Sequence, residues 1–233
     1  MKVKIISYSQ IPPGGWDYPD ASVGGIDLLE LIAYCARVSN PSNQYNKETS
    51  KNLVKYLMKH KHWSPLEMVS ACLEIETTRD IARQILRHRS FSFQEFSQRY
   101  ADPTKDLDFE VREARLQDEK NRQNSIEVSN DKEGYQLSRQ WEEYQKDVIR
   151  YARQAYCWAI ENGIAKEQAR AVLPEGNTMS RMYVNGTLRS WIHYMELRGA
   201  NGTQKEHIEL SLIHISEPTR RYAISYAVVC VKK

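Results

Sequence analysis

The alternation of apolar and polar residues predicts a few strands separated by helices. In residues 68–78, Val69, Ala71, Leu73 and Ile75 fall on one face, which is typical of a half-buried strand. Residues 2–8 and 180–186 are predicted as further strands on the same ground.

Apolar residues at helical spacing predict helices in residues 25–39, 50–62, 77–89, 134–163, 165–174 and 187–198. The longest carries an apolar stripe from Leu137 to Ala159, and Gly163 suits its C-terminal cap. Residues 102–133 are polar and predict a long loop, partly helical in residues 111–124. Helices segregated from a few strands indicate the α+β class, with a mixed sheet and several long helices.

The composition indicates a soluble globular protein. The chain has 233 residues, of which 41% are hydrophobic and 27% charged. No apolar run reaches the roughly 18 residues of a membrane span, and the first residues do not resemble a signal peptide. The cysteines, Cys35, Cys72, Cys157 and Cys230, are scattered and form no C-x-x-C pair. This pattern favours reduced thiols in the cytoplasm and no metal site.

The last residues, 210–233, are predicted to be foreign to the protein. Back-translation of LSLIHISEPTR resembles a transposase-type sequencing adapter, so we expect one native domain in residues 1–209, truncated at its C-terminus. The alternative is a native strand in residues 222–231. Resequencing the gene across the codon for Leu210 would decide between the two. The tail holds four of the 33 basic and one of the 30 acidic residues, so residues 1–209 carry 29 of each.

The segment from Arg87 to Tyr100, RHRSFSFQEFSQRY, combines cationic, hydroxyl, amide and aromatic side chains. Arginine forks with hydroxyl groups suit a phosphate, and planar side chains suit a heteroaromatic ring. Gln84 and Arg87 share a helical face that is too polar for a core. A simpler alternative is an arginine-rich helix end that is only solvated. The residue types favour nucleotide binding.

The spacing RHR-x7-S, formed by Arg87, His88, Arg89 and Ser97, resembles the signature of the flavin-dependent thymidylate synthases. Four other segments are similar to that family in order and spacing. They are ARVS (36–39), YLMKHKHWSPLE (56–67), ARAVLP (169–174) and LRSWIHYMELR (188–198), and the resemblance spans residues 27–209.

The resemblance implies that residues 1–209 form a single catalytic domain that methylates dUMP to dTMP. Methylenetetrahydrofolate would donate the carbon, and FAD reduced by NADPH would supply the hydride. The family uses no cysteine nucleophile, and its members are homotetramers with flavin sites shared between subunits. The same resemblance implies the family's fold.

The resemblance also carries site residues to this chain. Arg198 is the expected catalytic residue, which would favour ionisation of the uracil ring. The expected dUMP-binding residues are Gln84, Arg87, Glu95, Phe96, Ser97, Gln98, Arg99, Arg170 and Arg198. The expected FAD-binding residues are Ser39, Ser64, Arg87, His88, Arg89, Glu95, Thr187, Arg189 and His193. Gln94, Thr187 and His193 depart from the family, which commonly has asparagine there.

A competing hypothesis is a non-enzymatic nucleic-acid or nucleotide-binding protein that uses RHR as a phosphate clamp. It predicts a broad basic surface. The equal numbers of basic and acidic residues in 1–209 argue against such a surface. We therefore expect neither nucleic acid nor membrane as a partner.

Overall fold

The protein folds as an antiparallel sheet with helices packed against one face. A computed structural model describes residues 1–11, 28–200 and 202–215. The strands are β1 (Lys2–Tyr8), β2 (Ser70–Thr78), β3 (Phe91–Glu95), β4 (Arg115–Gln117), β5 (Ser125–Glu127) and β6 (Met179–Thr187). The helices are α1 (Leu28–Ala36), α2 (Ser50–Lys59), α3 (Arg79–Ile85), α4 (Pro103–Asp106), α5 (Lys132–Glu161), α6 (Lys166–Ala169), α7 (Leu188–Arg198) and α8 (Lys205–Glu209). Single 3-10 turns span Pro41–Asn43, Ser64–Glu67 and Arg170–Val172.

The main sheet has the strand order β1-β2-β6-β3. Every pairing between these strands is antiparallel, with a register irregularity between Ile5 and Ser7. The predicted α+β class and the three predicted strands are confirmed. Among the residues described, the sheet is antiparallel rather than mixed, and α5 is the one helix longer than eleven residues.

The core lies on one face of β2 and β6 because apolar residues alternate along both strands. Leu73 and Ile75 of β2 are fully buried, as are Met182 and Val184 of β6. Helices α1, α2, α3 and α7 contribute to the same apolar cluster. The indole Nε1 of Trp191 donates to a β2 carbonyl at 3.1 Å, which anchors α7 across the sheet.

Helix α5 is confirmed, but much of its predicted apolar stripe faces outward. Asp131 caps its first turn by accepting the Gly134 N–H at 2.7 Å, and Gly163 follows its end with φ of 78°. Ala152 and Ala159 are buried. In contrast, four large residues of the stripe are 45–59% exposed, namely Leu137, Trp141, Tyr144 and Val148. Trp158, on the same helix, is also exposed.

The helical part predicted in residues 111–124 of the long loop is wrong, because this segment contains β4 and the turn that leads into β5. Asp118 explains the difference. Its carboxylate accepts the N–H groups of Lys120 and Asn121 at 2.8 and 3.1 Å and a side-chain N–H of Asn124 at 2.9 Å. Such local bonds to an aspartate favour a turn over a helix.

The predicted domain boundary after Glu209 stays a prediction. A π-helical segment, Leu210–Ile215, continues directly from α8, and Leu210 is fully buried in the main core. Residues 12–27, 201 and 216–233 lie outside the described residues. The predicted start of the first helix, the alternative strand at 222–231 and Cys230 fall in those ranges. No described helix is long and apolar enough to cross a membrane.

Candidate active site

The RHR triplet lies in the short connection between α3 and β3. Helix α3 ends at Ile85, and the edge strand β3 begins at Phe91. Ile81 and Ile85 are buried, which anchors the helix to the core. Arg87 and Arg89 are exposed and form no ion pair with any residue that the structure describes. These two guanidinium groups are therefore available to an anionic ligand.

His88, between them, is half-buried and joins the end of α7. Its Nε2 accepts a hydrogen bond from Arg198 Nε at 2.9 Å. Arg198 Nη2 also donates to the backbone carbonyl of Gln84 at 3.4 Å. Burial, together with the Arg198 cation, lowers the pKa of His88, which keeps the imidazole neutral and able to accept. The fold thus brings three of the predicted residues together.

Glu95, at the end of β3, belongs to a charged cluster. Its Oε1 accepts from Ser180 Oγ at 2.8 Å and lies 3.8 Å from Arg79 Nη1. Glu175 pairs with Arg79 and with Arg83, at 3.7 and 2.6 Å. Neither Arg79 nor Ser180 could be identified from the sequence, because neither belongs to a motif and their proximity to Glu95 depends on the pairing of β6 with β3.

The residues after Glu95 form a tight turn. The Phe96 N–H donates to a β6 carbonyl at 2.8 Å, and the Ser97 carbonyl accepts from the N–H groups of Tyr100 and Ala101 at 3.1 and 3.0 Å. Gln98 is buried with 4% exposure, and its Nε2 has no hydrogen-bond partner among the described residues. An unpartnered buried donor is unusual and is expected where a ligand supplies the acceptor.

Arg99 and Arg170 are brought together through Glu167. Arg99 Nη2 pairs with the Glu167 carboxylate at 3.3 Å, and Arg170 Nε donates to the Glu167 backbone carbonyl at 3.2 Å. The side chains of Arg99 and Glu167 are 55% and 46% exposed. Because exposed pairs contribute little free energy, this ion pair can be exchanged for a ligand phosphate at small cost.

The predicted flavin residues fall into separate groups. Thr187 caps α7 by accepting the Ser190 N–H at 3.3 Å, and Arg189 forms an ion pair with Glu67 in the 3-10 turn that exposed Ser64 begins. His193 meets Trp63 edge to face at 4.5 Å. Arg189 and Arg198 lie nine residues apart on α7, roughly 13 Å along the helix axis.

The other predicted flavin residues are Ser39, Glu95 and the RHR triplet. Ser39 lies exposed in the turn after α1, where the described residues show no hydrogen bond from its side chain to the other predicted groups. The RHR triplet precedes the first residue of β3, and Glu95 is the last residue of that strand, so the two lie at opposite ends of β3. Ser190 Oγ donates to the Ser90 carbonyl at 3.1 Å, so the triplet adjoins the start of α7. One chain therefore does not gather the whole predicted flavin set at a single point.

The described cysteines are dispersed through the fold. Cys35, Cys72 and Cys157 are free and half-buried, and burial raises the pKa of the Cys35 and Cys72 thiols. In the portion of the chain described, no group of three or more histidine, cysteine or acidic side chains lies close enough to hold a metal ion.

Two buried residues near Gln84 are not among the predicted site residues. Tyr194 on α7 and His207 on α8 bond to each other at 2.6 Å, and both are buried beside His88 and Arg198. Tyr194 reads from the sequence as one more residue of an amphipathic helix. His207 lies in a segment for which no element was predicted.

Comparison with known proteins assigns the family. Residues 26–216 match the family model described as "Thymidylate synthase complementing protein". The chain is 50% identical over 215 residues to the flavin-dependent thymidylate synthase of Synechocystis, covering 91% of each chain. It is also 50% identical over 191 residues to the probable flavin-dependent thymidylate synthase of Paramecium bursaria Chlorella virus 1, covering 81% of this chain and 85% of the viral protein.

A solved structure shares the fold. A crystal structure of the UMP/dUMP methylase PolB from Streptomyces cacaoi, bound with 5-Br dUMP, superposes with a TM-score of 0.74. It covers 98% of this chain and 94% of PolB at 21% identity, which supports the fold alone. From the family match and the two relatives at half identity, this chain belongs to the flavin-dependent thymidylate synthase family.

Proposed function

We propose that this chain methylates dUMP to dTMP at the site formed by the ends of α3 and α7 and the turn after β3. Methylenetetrahydrofolate would provide the carbon, and NADPH would reduce the bound FAD. The observation that carries the proposal is the junction of Gln84, His88 and Arg198, in which Arg198 Nε is held at 2.9 Å from a neutral imidazole.

The nucleotide phosphate is proposed to bind at Ser97, Arg99 and Arg170. The hydroxyl and two guanidinium groups are the donors that a phosphate dianion requires. Binding would replace the exposed pair between Arg99 and Glu167. The buried Gln98 amide, which lacks a partner for its Nε2, would donate to the nucleotide.

Arg198 is proposed to stabilise negative charge on the pyrimidine ring. With Nε held by His88, its planar fork cannot rotate freely, and a fixed cation is a better stabiliser of developing charge than a mobile one. The neutral state of His88 matters because a protonated imidazole would have no lone pair at Nε2 with which to hold Arg198.

The residues present fit a flavin. Arg87 and Arg89 are exposed without carboxylate partners among the described residues, as a diphosphate site requires, and the group of Ser64, Arg189 and His193 offers donors for a second part of the cofactor. When bound, the reduced flavin supplies the hydride for the transferred one-carbon unit. Glu95 and Thr187 are proposed as further contacts, and Ser39 as a peripheral one.

We propose a homotetramer in which neighbouring chains complete each flavin site. Two observations support this. Among the described residues, Glu95 lies at the opposite end of β3 from the RHR triplet and Ser39 lies in the turn after α1. In addition, α5 exposes a long apolar face that a second copy would cover. Residues 1–209 are proposed as the catalytic domain, working in the cytoplasm, where the free thiols would remain reduced.

A flavin spectrum with and without dUMP tests the proposed function. The purified protein is incubated with FAD, freed of unbound flavin and mixed anaerobically with NADPH. Bound flavin should bleach at a rate that dUMP changes, and addition of methylenetetrahydrofolate should yield dTMP. Failure of the flavin-loaded protein to form dTMP would overturn the proposal.

A further inference from the structure

A fully buried histidine outside the predicted site residues connects two segments of the site. His207 lies on α8 with no exposed surface. Its Nε2 lies 2.6 Å from the Tyr194 hydroxyl, and its Nδ1 lies 3.2 Å from Gln84 Oε1. Gln84 Nε2 in turn donates to Gln204 Oε1 at 2.8 Å. Four side chains thus form one continuous hydrogen-bonded chain.

The direction of this hydrogen-bonded chain follows from the Gln84 amide. Its Nε2 donates to Gln204 Oε1 at 2.8 Å, so its Oε1 faces His207 Nδ1 at 3.2 Å. An amide oxygen only accepts, so the atom that faces it must carry a hydrogen.

The imidazole of His207 has the protonation state that this direction requires. Burial, together with the nearby Arg198 cation, lowers the pKa of His207 to about 3. A neutral imidazole has one donor and one acceptor. Nδ1 must carry the hydrogen because it faces Gln84 Oε1, and Nε2 accepts from the Tyr194 hydroxyl.

The hydrogen-bonded chain fixes the orientation of the Gln84 amide, that is, the positions of its oxygen and its nitrogen. A glutamine amide that lost these partners could turn over and exchange its donor and acceptor. With Oε1 and Nε2 both engaged, only the second N–H and the second lone pair of Gln84 remain for a ligand. The Gln84 backbone carbonyl also accepts from Arg198 at 3.4 Å, so movement of Gln84 would disturb Arg198.

We propose that His207 is a positioning residue that fixes the Gln84 amide in the orientation needed to bind the pyrimidine of dUMP. The inference rests on the proposed function, since it assumes that Gln84 contacts the nucleotide. His207 does not contact the nucleotide and affects its binding only through Gln84.

Two substitutions of His207 separate the bonds that it makes. His207→Asn keeps an amide donor near the position of Nδ1, so it preserves the bond to Gln84 and loses the bond to Tyr194. His207→Gln keeps an acceptor near the position of Nε2, so it preserves the bond to Tyr194 and loses the bond to Gln84. Tyr194→Phe is the matched control, because it also breaks only the bond between Tyr194 and His207.

The readout is the Kd of dUMP for the FAD-loaded protein, measured by calorimetry together with the Tm of each variant. We expect His207→Gln to raise the Kd about tenfold, and His207→Asn and Tyr194→Phe to change it by less than about threefold. In a double-mutant cycle with Gln84→Ala, the effect of His207→Gln should disappear, because its only route to dUMP has been removed.

Several results would contradict the positioning role of His207. The positioning role would be overturned if the Kd of dUMP rose in all three variants in proportion to their loss of Tm. It would also be overturned if His207→Gln still raised the Kd in the Gln84→Ala background. If wild-type protein does not bind dUMP, the proposed nucleotide site itself is wrong. If neither His207 variant folds, the Nδ1–H NMR signal of wild-type His207 replaces them, and a signal that dUMP leaves unchanged would overturn the inference.

Discussion

At the scale of single residues, Arg198 depends on its planar shape as well as its charge. Arg198→Lys keeps the charge but loses the Nε that His88 holds. We expect kcat for dTMP formation to fall about a hundredfold, as for loss of one preorganised donor, while the Kd of dUMP changes less. Arg150→Lys, at an exposed pair on α5, is the control and should behave as wild type. A kcat for Arg198→Lys within threefold of wild type would contradict the role.

His207 and His88 should make the protein sensitive to mild acid. The pKa values of both histidines lie below the ordinary 6.5, and that of His207 is about 3. Below pH 6.5 these histidines therefore bind protons in the unfolded chain but stay neutral in the folded one. The stability present above pH 6.5 is therefore lost as pH falls. His207 contributes up to about 1.4 kcal/mol of lost unfolding free energy per pH unit.

Urea unfolding at a series of pH values from about 7 to about 4 measures this loss. His207→Asn, which has no titrating group there, should give a shallower slope than wild type. Parallel slopes for the two proteins would show that His207 does not titrate as described.

The residues of the motifs were predictable, whereas the network that supports them was not. Arg87, His88 and Ser97 are adjacent in sequence or fixed by short spacing, so a pattern can identify them. His207 acquires its importance only because α8 packs against α3 and α7, a long-range contact that no local pattern encodes. Because a polar residue in a short helix is in most cases solvent-exposed, the burial of His207 could not be predicted from its sequence position.

At the scale of elements, the pairing of β3 with β6 depends on a glycine. A Cβ built on Gly186 would lie 2.3 Å from the ring of Phe91, its partner on β3. Gly186→Ala should lower the unfolding free energy by about 1–3 kcal/mol through overpacking, and should weaken dUMP binding because β3 leads into the site. Gly176→Ala, whose Cβ would meet nothing within 4 Å, is the matched control.

Thermal unfolding and dUMP titration of both variants check this expectation. Equal Tm values for Gly186→Ala and Gly176→Ala would contradict the steric account.

Strands and helices with strong periodicity were predicted correctly, and the polar connection was not. Apolar and polar residues alternate along β2 and β6 because one face of the sheet is buried, so the sequence pattern identifies these strands directly. In residues 111–124 the deciding interactions are the bonds accepted by the Asp118 side chain, and these favour a turn without leaving any apolar periodicity.

At the scale of the whole molecule, the outward face of α5 predicts association. Trp141, Tyr144 and Val148 expose 45%, 59% and 50% of their surface on one helix. We expect light scattering to give a mass several times the 27.2 kDa of one chain. Tyr144→Glu combined with Val148→Glu should reduce that mass and the amount of flavin retained.

Gln154→Glu, an exposed polar position on the same helix, is the control for added charge and should leave the mass unchanged. A wild-type mass equal to one chain would contradict the expectation.

The buried Gln98 has a consequence for anyone who engineers this protein. Because its Nε2 has no acceptor among the described residues, we expect Gln98 to lower the unfolding free energy by about 1–3 kcal/mol when no nucleotide is present. Substitution by an apolar residue of similar shape should therefore yield a more heat-resistant molecule that binds dUMP poorly. A library selected for heat resistance alone would be enriched in Gln98→Leu or Gln98→Met, and thus in catalysts that survive heating without their substrate affinity.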